Sequence, residues 1–243
     1  MKTLKIILFT LAATTLVSCN FDVMFGQTHG NGTVTTEDRA VTEDFNKVKG
    51  SAGLDVFLTK GNTASIRVEA DENLHEIIET DVYNGKLHIK TADNHNIGKA
   101  KSKKVFVTYV SLDEVGASSG ADVIVNGVLE AENLTLDASS GADLEVEVFA
   151  KNLYLDCSSG ADIKVSGRAS DLTADASSGS DIKAKDLMVV NCKAEVSSGA
   201  DITVHVKESL EVDASSGGDI KYYGNPTAVK NNSGKSSGSV RKM

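Results

Sequence analysis

The sequence has very little proline, no tryptophan and few other aromatic residues. Its 243 residues include one Pro, no Trp, seven Phe and five Tyr, beside 21 Gly. A single Pro excludes a proline-rich linker, and Gly without a three-residue period excludes collagen. Three Cys are too few for a fold built on disulfide bonds. The remaining composition is that of an ordinary globular chain.

Positive charge is scarce in the middle of the chain. Residues 111–219 contain seven Lys and Arg against 21 Asp and Glu, a net charge of −14, whereas residues 220–243 contain five Lys and Arg and no acid. Nucleic-acid binding requires clustered Lys and Arg for phosphate contacts. We therefore expect no nucleic-acid partner.

Residues 1–18 have the layout of an export signal. Two lysines precede an apolar run over residues 6–17, which is shorter than the roughly 20 residues of a membrane-spanning helix. The segment Leu16-Val17-Ser18-Cys19 resembles the lipobox of bacterial lipoproteins. The prediction is a lipoprotein signal peptide at 1–18, lipidation of Cys19 and a flexible tether at 19–38. An ordinary signal peptide with an incidental Cys is the alternative.

A lipid on Cys19 would place the protein in the bacterial cell envelope, and we expect the outer membrane. The next residues, Asn20-Phe21-Asp22, contain no acidic cluster of the kind that directs some lipoproteins to the outer face. The periplasmic and surface orientations both stay open. The membrane, through the lipid, is a predicted partner.

A five-residue pattern, Ser-Ser-Gly-Ala-Asp or a close variant, recurs six times. Its first serines are 21, 19, 19, 20 and 18 residues apart, and repeats of such a period are typical of stacked architectures. A fainter copy at Ser236 follows, with Gly238 as a seventh corner. The six glycines are interpreted as structural corners: Gly120, Gly141, Gly160, Gly179, Gly199 and Gly217.

Apolar and polar residues alternate on both sides of each corner, as in Leu153-x-Leu155-x-Cys157 and Ile163-x-Val165. This period indicates β-strands with one buried face, and glycine permits a sharp corner between them. Units of equal length predict an all-β fold, a right-handed parallel β-helix with rungs of about 19–20 residues. An antiparallel sandwich of hairpins is disfavoured, because identical corners would not stack in it.

The less regular segment before the repeats has strand and turn signals of its own. Val105–Val110 is a strong strand candidate, and Asn84-Gly85 marks a hairpin turn. Asp71 is predicted to cap a short helical turn. Ser51-Ala52-Gly53-Leu54-Asp55 is similar to the repeat corner, so this segment is expected to belong to the same stack.

Several sequence blocks resemble one known family in order along the chain. They are Leu54-Asp55-Val56, Asn73-Leu74, the repeats, and Tyr223-Gly224-Asn225-Pro226. The family is the auto-transporter adhesin head GIN domain family of bacterial envelope lipoproteins, and the resemblance covers roughly residues 39–243. It implies a β-helical fold. An adhesin-like role is implied only by analogy, since fold does not determine activity.

The predicted domain therefore spans residues 39–243. The regular repeats occupy 111–224, and a C-terminal capping rung occupies 225–243.

The six repeat aspartates are expected to form a column. Carboxylates about 4.8 Å apart repel each other by about 1 kcal/mol in water. Serine hydroxyls and corner N–H groups donating to each carboxylate would offset this repulsion. The alternative is calcium along the column, since the pattern resembles half of a calcium-binding RTX repeat. The other half is missing, so no metal is expected. The residues are Asp122, Asp143, Asp162, Asp181, Asp201 and Asp219.

Catalytic constellations are not found in the sequence. The histidines lack metal-ligand spacing, and no serine corner has an attendant His. We therefore expect a non-enzyme without a cofactor. The five histidines are His29, His75, His88, His95 and His205.

Two cysteines and three tyrosines are further candidates. Cys157 and Cys192 fall in different columns about 10 Å apart, beyond disulfide reach, so both are expected to be buried free thiols. Tyr154, Tyr222 and Tyr223 are the conspicuous candidates for sugar contact, although the adjacent pair would face opposite sides of a strand.

Two functional hypotheses remain. The first is a lipid-anchored, non-catalytic binding module, adhesin-like, for an unknown protein or glycan. The alternative is a structural protein that forms a homo-oligomer through the β-helix, side by side or end to end.

Overall fold

The structure is a computed structural model, and it describes residues 27–234 and 238–243. The predicted signal peptide and Cys19 lie outside the described residues. Within them there is no α-helix, only one turn of 3-10 helix at Glu72–Leu74. No helix in this part of the chain is long and apolar enough to cross a membrane.

Eighteen β-strands make up almost all of the described chain. They are β1 (Gln27–Thr28), β2 (Val34–Arg39), β3 (Lys47–Gly50), β4 (Asp55–Lys60), β5 (Ser65–Asp71), β6 (Ile78–Tyr83), β7 (Lys86–Thr91), β8 (Asn96–Ile97), β9 (Lys103–Tyr109), β10 (Glu114–Ser118), β11 (Asp122–Ser139), β12 (Asp143–Ser158), β13 (Asp162–Ser177), β14 (Asp181–Val196), β15 (Asp201–Ala214), β16 (Asp219–Tyr223), β17 (Ala228–Asn231) and β18 (Ser239–Lys242).

Successive repeats pair in parallel along nearly their whole length. Strands β11 to β15 are five regular rungs, and in each pair aspartate lies beside aspartate at the corner. The stack forms a β-solenoid of about six turns. The predicted parallel β-helix with one repeat per rung is therefore confirmed.

The core is built from alternate residues of each rung. The register superimposes them in columns, and large apolar side chains then fill a continuous interior. Fully burying one such side chain contributes about 1.5–3 kcal/mol. One column, each member at most 2% exposed, is Val123, Leu144, Ile163, Ile182, Ile202 and Ile220.

Each corner uses two consecutive residues in the left-handed region. The glycine of each repeat has φ between 68° and 80°, and the serine before it has φ between 46° and 56°. The glycine N–H donates to the serine carbonyl of the next rung, as from Gly160 to Ser178 at 3.1 Å. The hydrogen-bond ladder therefore continues through the corner. The contribution of the serine backbone was not apparent from the sequence.

The seventh predicted corner glycine is placed differently. Asp219 pairs with Ser239, so Gly238 lies at the level of Gly218 rather than of the corner glycine Gly217. The irregular spacing of the last repeat shifted the expected register by one residue.

The segment before the repeats extends the same stack. Ala52 and Gly53 adopt the left-handed corner with φ of 60° and 69°, and Asp55 pairs with Asp122. On the side of the solenoid where Asp55 pairs with Asp122, the strand order continues from β11 through β4, β9, β5 and β2. The last two pairings are antiparallel. The hairpin predicted at Asn84-Gly85 joins β6 to β7.

Asp71 does not cap the helical turn. No side-chain capping bond is found there. Its buried carboxylate instead accepts N–H bonds from Gly32, Lys101 and Ser102 at 2.8–3.0 Å. Burial alone would raise the pKa of Asp71, but these hydrogen bonds outweigh it and the pKa is lowered.

Ordered structure begins earlier than the predicted boundary at residue 39. β1 pairs with β8, and β2 pairs with β5. Residues 27–38 are therefore part of the fold rather than of a tether. Their short polar strands lack the apolar alternation that identifies a strand in sequence.

Both described cysteines are buried and free, as predicted. Cys157 lies between Ala138 and Ala176 in its column, and Cys192 lies beside Leu172 and Leu210 in another. Burial raises the pKa of Cys157 to about 11 and that of Cys192 to about 12. Neither thiol has the character of a reactive cysteine.

We predict that alanine substitutions at three glycines will separate backbone strain from steric clash. Gly160→Ala forces a side chain into the left-handed region with nothing within 4 Å, which should cost about 1–2 kcal/mol. Gly167→Ala should cost more, because its Cβ would lie 2.1 Å from the Val148 carbonyl oxygen. Gly234→Ala, whose added Cβ has no atom of the described residues within 4 Å and whose backbone has no positive φ, is the control. Equal free energies of unfolding in urea for all three would contradict this account.

Candidate functional site

Rung stacking turns every outward position of the repeat into a column on the surface. The six corner aspartates form one such column, in register along the stack. Lysines from the next rung pair with some of them: Lys183 Nζ lies 2.7 Å from Asp162, and Lys221 Nζ lies 3.3 Å from Asp201. The carboxylate repulsion is therefore partly offset by cross-rung ion pairs.

The predicted column of Ser/Asp hydrogen bonds does not form. The corner N–H groups donate to serine carbonyls of the next rung, as from Gly141 to Ser159, and are not available to the carboxylates. Ser239 is the described exception, since its hydroxyl donates to Asp219. Backbone pairing at the corner takes precedence because it continues the ladder.

Stacking raises the pKa of Asp143, an aspartate that has no lysine partner in the described part of the chain. Burial, and then repulsion from Asp122 and Asp162, raises the pKa of Asp143. A second acidic column runs on the other side of the corner, where burial likewise raises the pKa of Asp137 and Asp175. Its members are Asp137, Asp156, Asp175, Glu195 and Asp213.

The described residues contain no group of three or more His, Cys, Asp or Glu side chains placed to hold a metal ion. The acidic residues follow one another along columns and do not converge on a point. The histidines are separated as well: His29 accepts a hydrogen bond from the Lys99 N–H, and His75 is buried against Thr35. The candidate calcium column therefore has no converging ligand set.

A ladder of polar side chains was missed in the sequence. Asn152 donates to Asn133 at 2.8 Å, Asn191 to Asp171 at 2.9 Å, and Ser209 to Asn191 at 2.7 Å. Ladders of this kind strengthen in-register parallel stacking. The signal was present, since each residue directly precedes the buried apolar residue that opens its Leu-x-Leu-like segment.

The candidate partner-binding site is a groove on the side of the solenoid, here called the Phe149 groove. Phe149, Arg168 and Met188 form one outward column, and Phe149 and Met188 are 44% and 50% exposed. Beside them lie small residues such as Ala150 and Ala169, and the cavity measures about 550 Å³. This volume is in the range of ligand pockets.

Positive charge surrounds the Phe149 groove. Arg168 lies over the Phe149 ring at 5.9 Å, and Lys151 and Lys207 also line the cavity. Lys151 pairs with Glu132 at 3.4 Å, whereas neither Arg168 nor Lys207 has an ion pair within the described residues. The groove therefore combines exposed apolar area with two uncompensated cations.

A larger cavity, about 640 Å³, lies between β17 and the strand segments around Leu172, Cys192 and Leu210. Its charged residues are already paired: Lys230 lies 2.8 Å from Glu211, and Lys193 lies 2.7 Å from Glu195. A ligand would have to replace these contacts. The Phe149 groove is the stronger candidate for this reason.

The candidate tyrosines do not come together. Tyr222 lies opposite the buried Val204 and Tyr223 opposite His205, so the pair faces opposite sides as expected. Tyr154 is exposed in another column, between Thr135 and Thr173. No aromatic platform forms from these three residues.

Two phenylalanines missed in the sequence do stack. The rings of Phe57 and Phe106 are 5.2 Å apart and nearly parallel, and Arg67 lies over the Phe106 ring at 5.1 Å. Phe57 also has Ile124 beside it in the same column. Because the neighbours in the column occupy the ring faces, we interpret the pair as a rung-stabilising contact and not as a sugar platform.

We predict that Asp143→Asn will stabilise the protein at pH 7, by about 0.5 kcal/mol for this exposed group. The pKa of Asp143 is raised in the folded state, so ionisation costs stability as the pH rises above about 4. The gain should therefore vanish below the ordinary pKa of aspartate. Asp162→Asn is the control and should show no gain, because it loses the contact with Lys183. Thermal unfolding between pH 3 and pH 7 measures both.

Calcium decides the competing interpretation of this column. Addition of calcium is expected to leave the Tm unchanged. A calcium-dependent rise in Tm that Asp143→Asn abolishes would contradict the interpretation of the aspartates as a column without metal.

Solved structures from Bacteroides and Parabacteroides species have the same fold. A putative adhesin from Bacteroides fragilis superimposes with a TM-score of 0.80 at 20% identity, covering 89% of this chain and 100% of that one. A putative lipid binding protein from Parabacteroides distasonis gives 0.71 at 18% identity, with 89% and 99% covered. A putative adhesin from Parabacteroides merdae gives 0.67 at 21% identity, with 90% and 99% covered. These likenesses establish the fold.

Among curated proteins, none matches the chain. The sequence profile of one family matches residues 44–226, which include the corner at Ser51–Asp55 and all six repeats. This confirms the resemblance drawn from the sequence blocks. The chain belongs to the family described as putative auto-transporter adhesin, head GIN domain.

Proposed function

We propose that this protein is a lipid-anchored cell-envelope protein whose β-solenoid is a non-catalytic, adhesin-like binding module. The family and the structural neighbours support the adhesin-like part. The lipobox-like Leu16-Val17-Ser18-Cys19 supports the lipid anchor. The outer membrane as its location is part of the same proposal. The adhesin-like family and fold support the non-catalytic part.

The single observation on which the binding role rests is the Phe149 groove. Exposed apolar area beside unpaired cations is typical of an interaction surface. The partner we propose is a protein segment with an apolar side chain next to acidic residues. A glycan fits less well, because Arg168 covers one face of the Phe149 ring, the surface on which a sugar would stack.

The anchor is tested by metabolic labelling with a fatty acid in the native bacterium. The wild-type protein should incorporate label, and Cys19→Ser should not. An adhesin-like role also requires that protease added to intact cells reaches the solenoid. Labelling of the Cys19→Ser variant would refute the anchor, and protection of the solenoid in intact cells would refute adhesion.

The groove is tested on an array of purified matrix proteins and glycans. We expect binding to a protein, and Phe149→Ala combined with Met188→Ala should weaken it at least about tenfold, as for a buried interface anchor. Tyr154→Ala removes an equally exposed aromatic residue from another side of the solenoid and should leave binding unchanged. Equal binding by all three forms would exclude the groove, and selective binding to a glycan would exclude the proposed partner class.

A further inference from the structure

The two ends of the solenoid carry opposite charges. The acidic end comprises β2 and residues 72–83, which include the 3-10 turn and β6. It contains one Arg and the acids Glu37, Asp38, Glu72, Glu76, Glu79 and Asp81. The basic end comprises residues 220–234 and 238–243. It contains no acid and the basic residues Lys221, Lys230, Arg241 and Lys242.

Several of these charges have no partner of their own. Within the described ranges, no ion pair is found for Asp38, Glu76 or Asp81 at the acidic end, all of which are exposed. The same holds for Arg241 and Lys242 at the basic end, where Lys242 donates only to the Asn225 side chain. Each end therefore presents uncompensated charge to the solvent.

Both ends also present unpaired strand edges. Among the described strands, β2 pairs only with β5 and β6 only with β7 at the acidic end. At the basic end β18 pairs only with β16, and β17 only with β15. An unpaired edge offers free N–H and C=O groups to a further strand.

The directions of β2 and β18 permit continuation of the stack. Two antiparallel steps, from β9 to β5 and from β5 to β2, return β2 to the direction of the rungs. β18 also runs in that direction, parallel to β16. If β2 of a second copy lies beside β18, the two strands pair in parallel on the same side of the solenoid, as the rungs do.

The basic end leaves part of the core uncovered. Val229 lies opposite Leu210 and is 48% exposed, and Val240 lies half-buried opposite Ile220. Leu210 and Ile220 themselves are fully buried. Solenoids need a polar terminal repeat to remain soluble as monomers. A second copy on this end would remove the two valines from water.

Like ends are unsuited to each other. Two basic ends, or two acidic ends, would bring the same charge together. At the acidic end the inward positions of β2 are also polar, and Arg39 donates to the His75 carbonyl at 2.7 Å. A basic end facing an acidic end is the arrangement that gains attraction, strand pairing and apolar burial together.

We propose that copies of this protein associate end to end, with the basic end of one copy on the acidic end of the next. Such a heterologous contact does not close on itself and produces linear oligomers. It leaves the Phe149 groove, on the side of the solenoid, accessible in every copy. The proposal is independent of the binding function.

The test is sedimentation velocity of the chain from residue 20 onward, which contains every described residue. At low salt the weight-average mass should rise with protein concentration beyond that of a dimer. High salt should reverse this rise, because exposed charges are screened. A chain that stays monomeric at low salt, or a closed dimer that does not grow, would overturn the proposal.

Charge reversal at each end sharpens the test. Arg241→Glu with Lys242→Glu lowers the charge of the basic end from +4 to zero, and Asp38→Lys with Asp81→Lys lowers that of the acidic end from −5 to −1. Each variant alone should be monomeric, because one of its ends no longer carries the complementary charge. An equimolar mixture should associate again, because the unaltered acidic end of the first variant meets the unaltered basic end of the second. Lys60→Glu with Lys164→Glu changes the net charge by the same amount as the first variant, at exposed positions on the side of the solenoid, and should associate like the wild type.

Two outcomes of the reversal experiment would overturn the proposal: association of either variant alone, or failure of the mixture of folded variants to associate. Circular dichroism checks that each variant is folded. If a variant does not fold, the concentration and salt dependence of the wild-type chain decides the question by itself.

Discussion

Backbone hydrogen bonding between successive rungs is the interaction on which the rest of this structure depends. It continues through the corners, where the Gly160 N–H donates to the Ser178 carbonyl of the next rung. Such a ladder requires the same conformation at the same position in each repeat, including the left-handed serine and glycine. The nearly equal rung lengths and the absence of proline from the regular rungs follow from this requirement.

The same register has opposite effects on different columns. Inside, it superimposes apolar residues such as Ile163 and Ile182 and produces a continuous core. On the surface it also superimposes carboxylates, and the raised pKa of Asp143 is the resulting cost. Lysines from the next rung and the Asn133–Asn152 ladder act against that cost. The stability of the stack therefore depends on which side chains the register places next to each other in each column.

Binding features arise where the repetition is broken. The regular corners use their polar groups to hold the stack together, and no converging set remains there for a ligand. Phe149, Arg168 and Met188 form an outward column whose residue type changes from rung to rung, and the groove lies along it. The two ends, where pairing stops, have free strand edges and opposite charges. Function in such a fold is expected at irregular side positions and at the ends.

The sequence by itself determined the strands of the repeats, their corners, the parallel stack and the buried cysteines, because period-two alternation and a repeated corner are local signals. It did not determine the role of Asp71, whose partners Gly32 and Ser102 are about 30–40 residues away. Nor did it reveal strand β2, the Phe57–Phe106 stack or the groove. These depend on which side chains from distant rungs become neighbours, and only the tertiary register decides that.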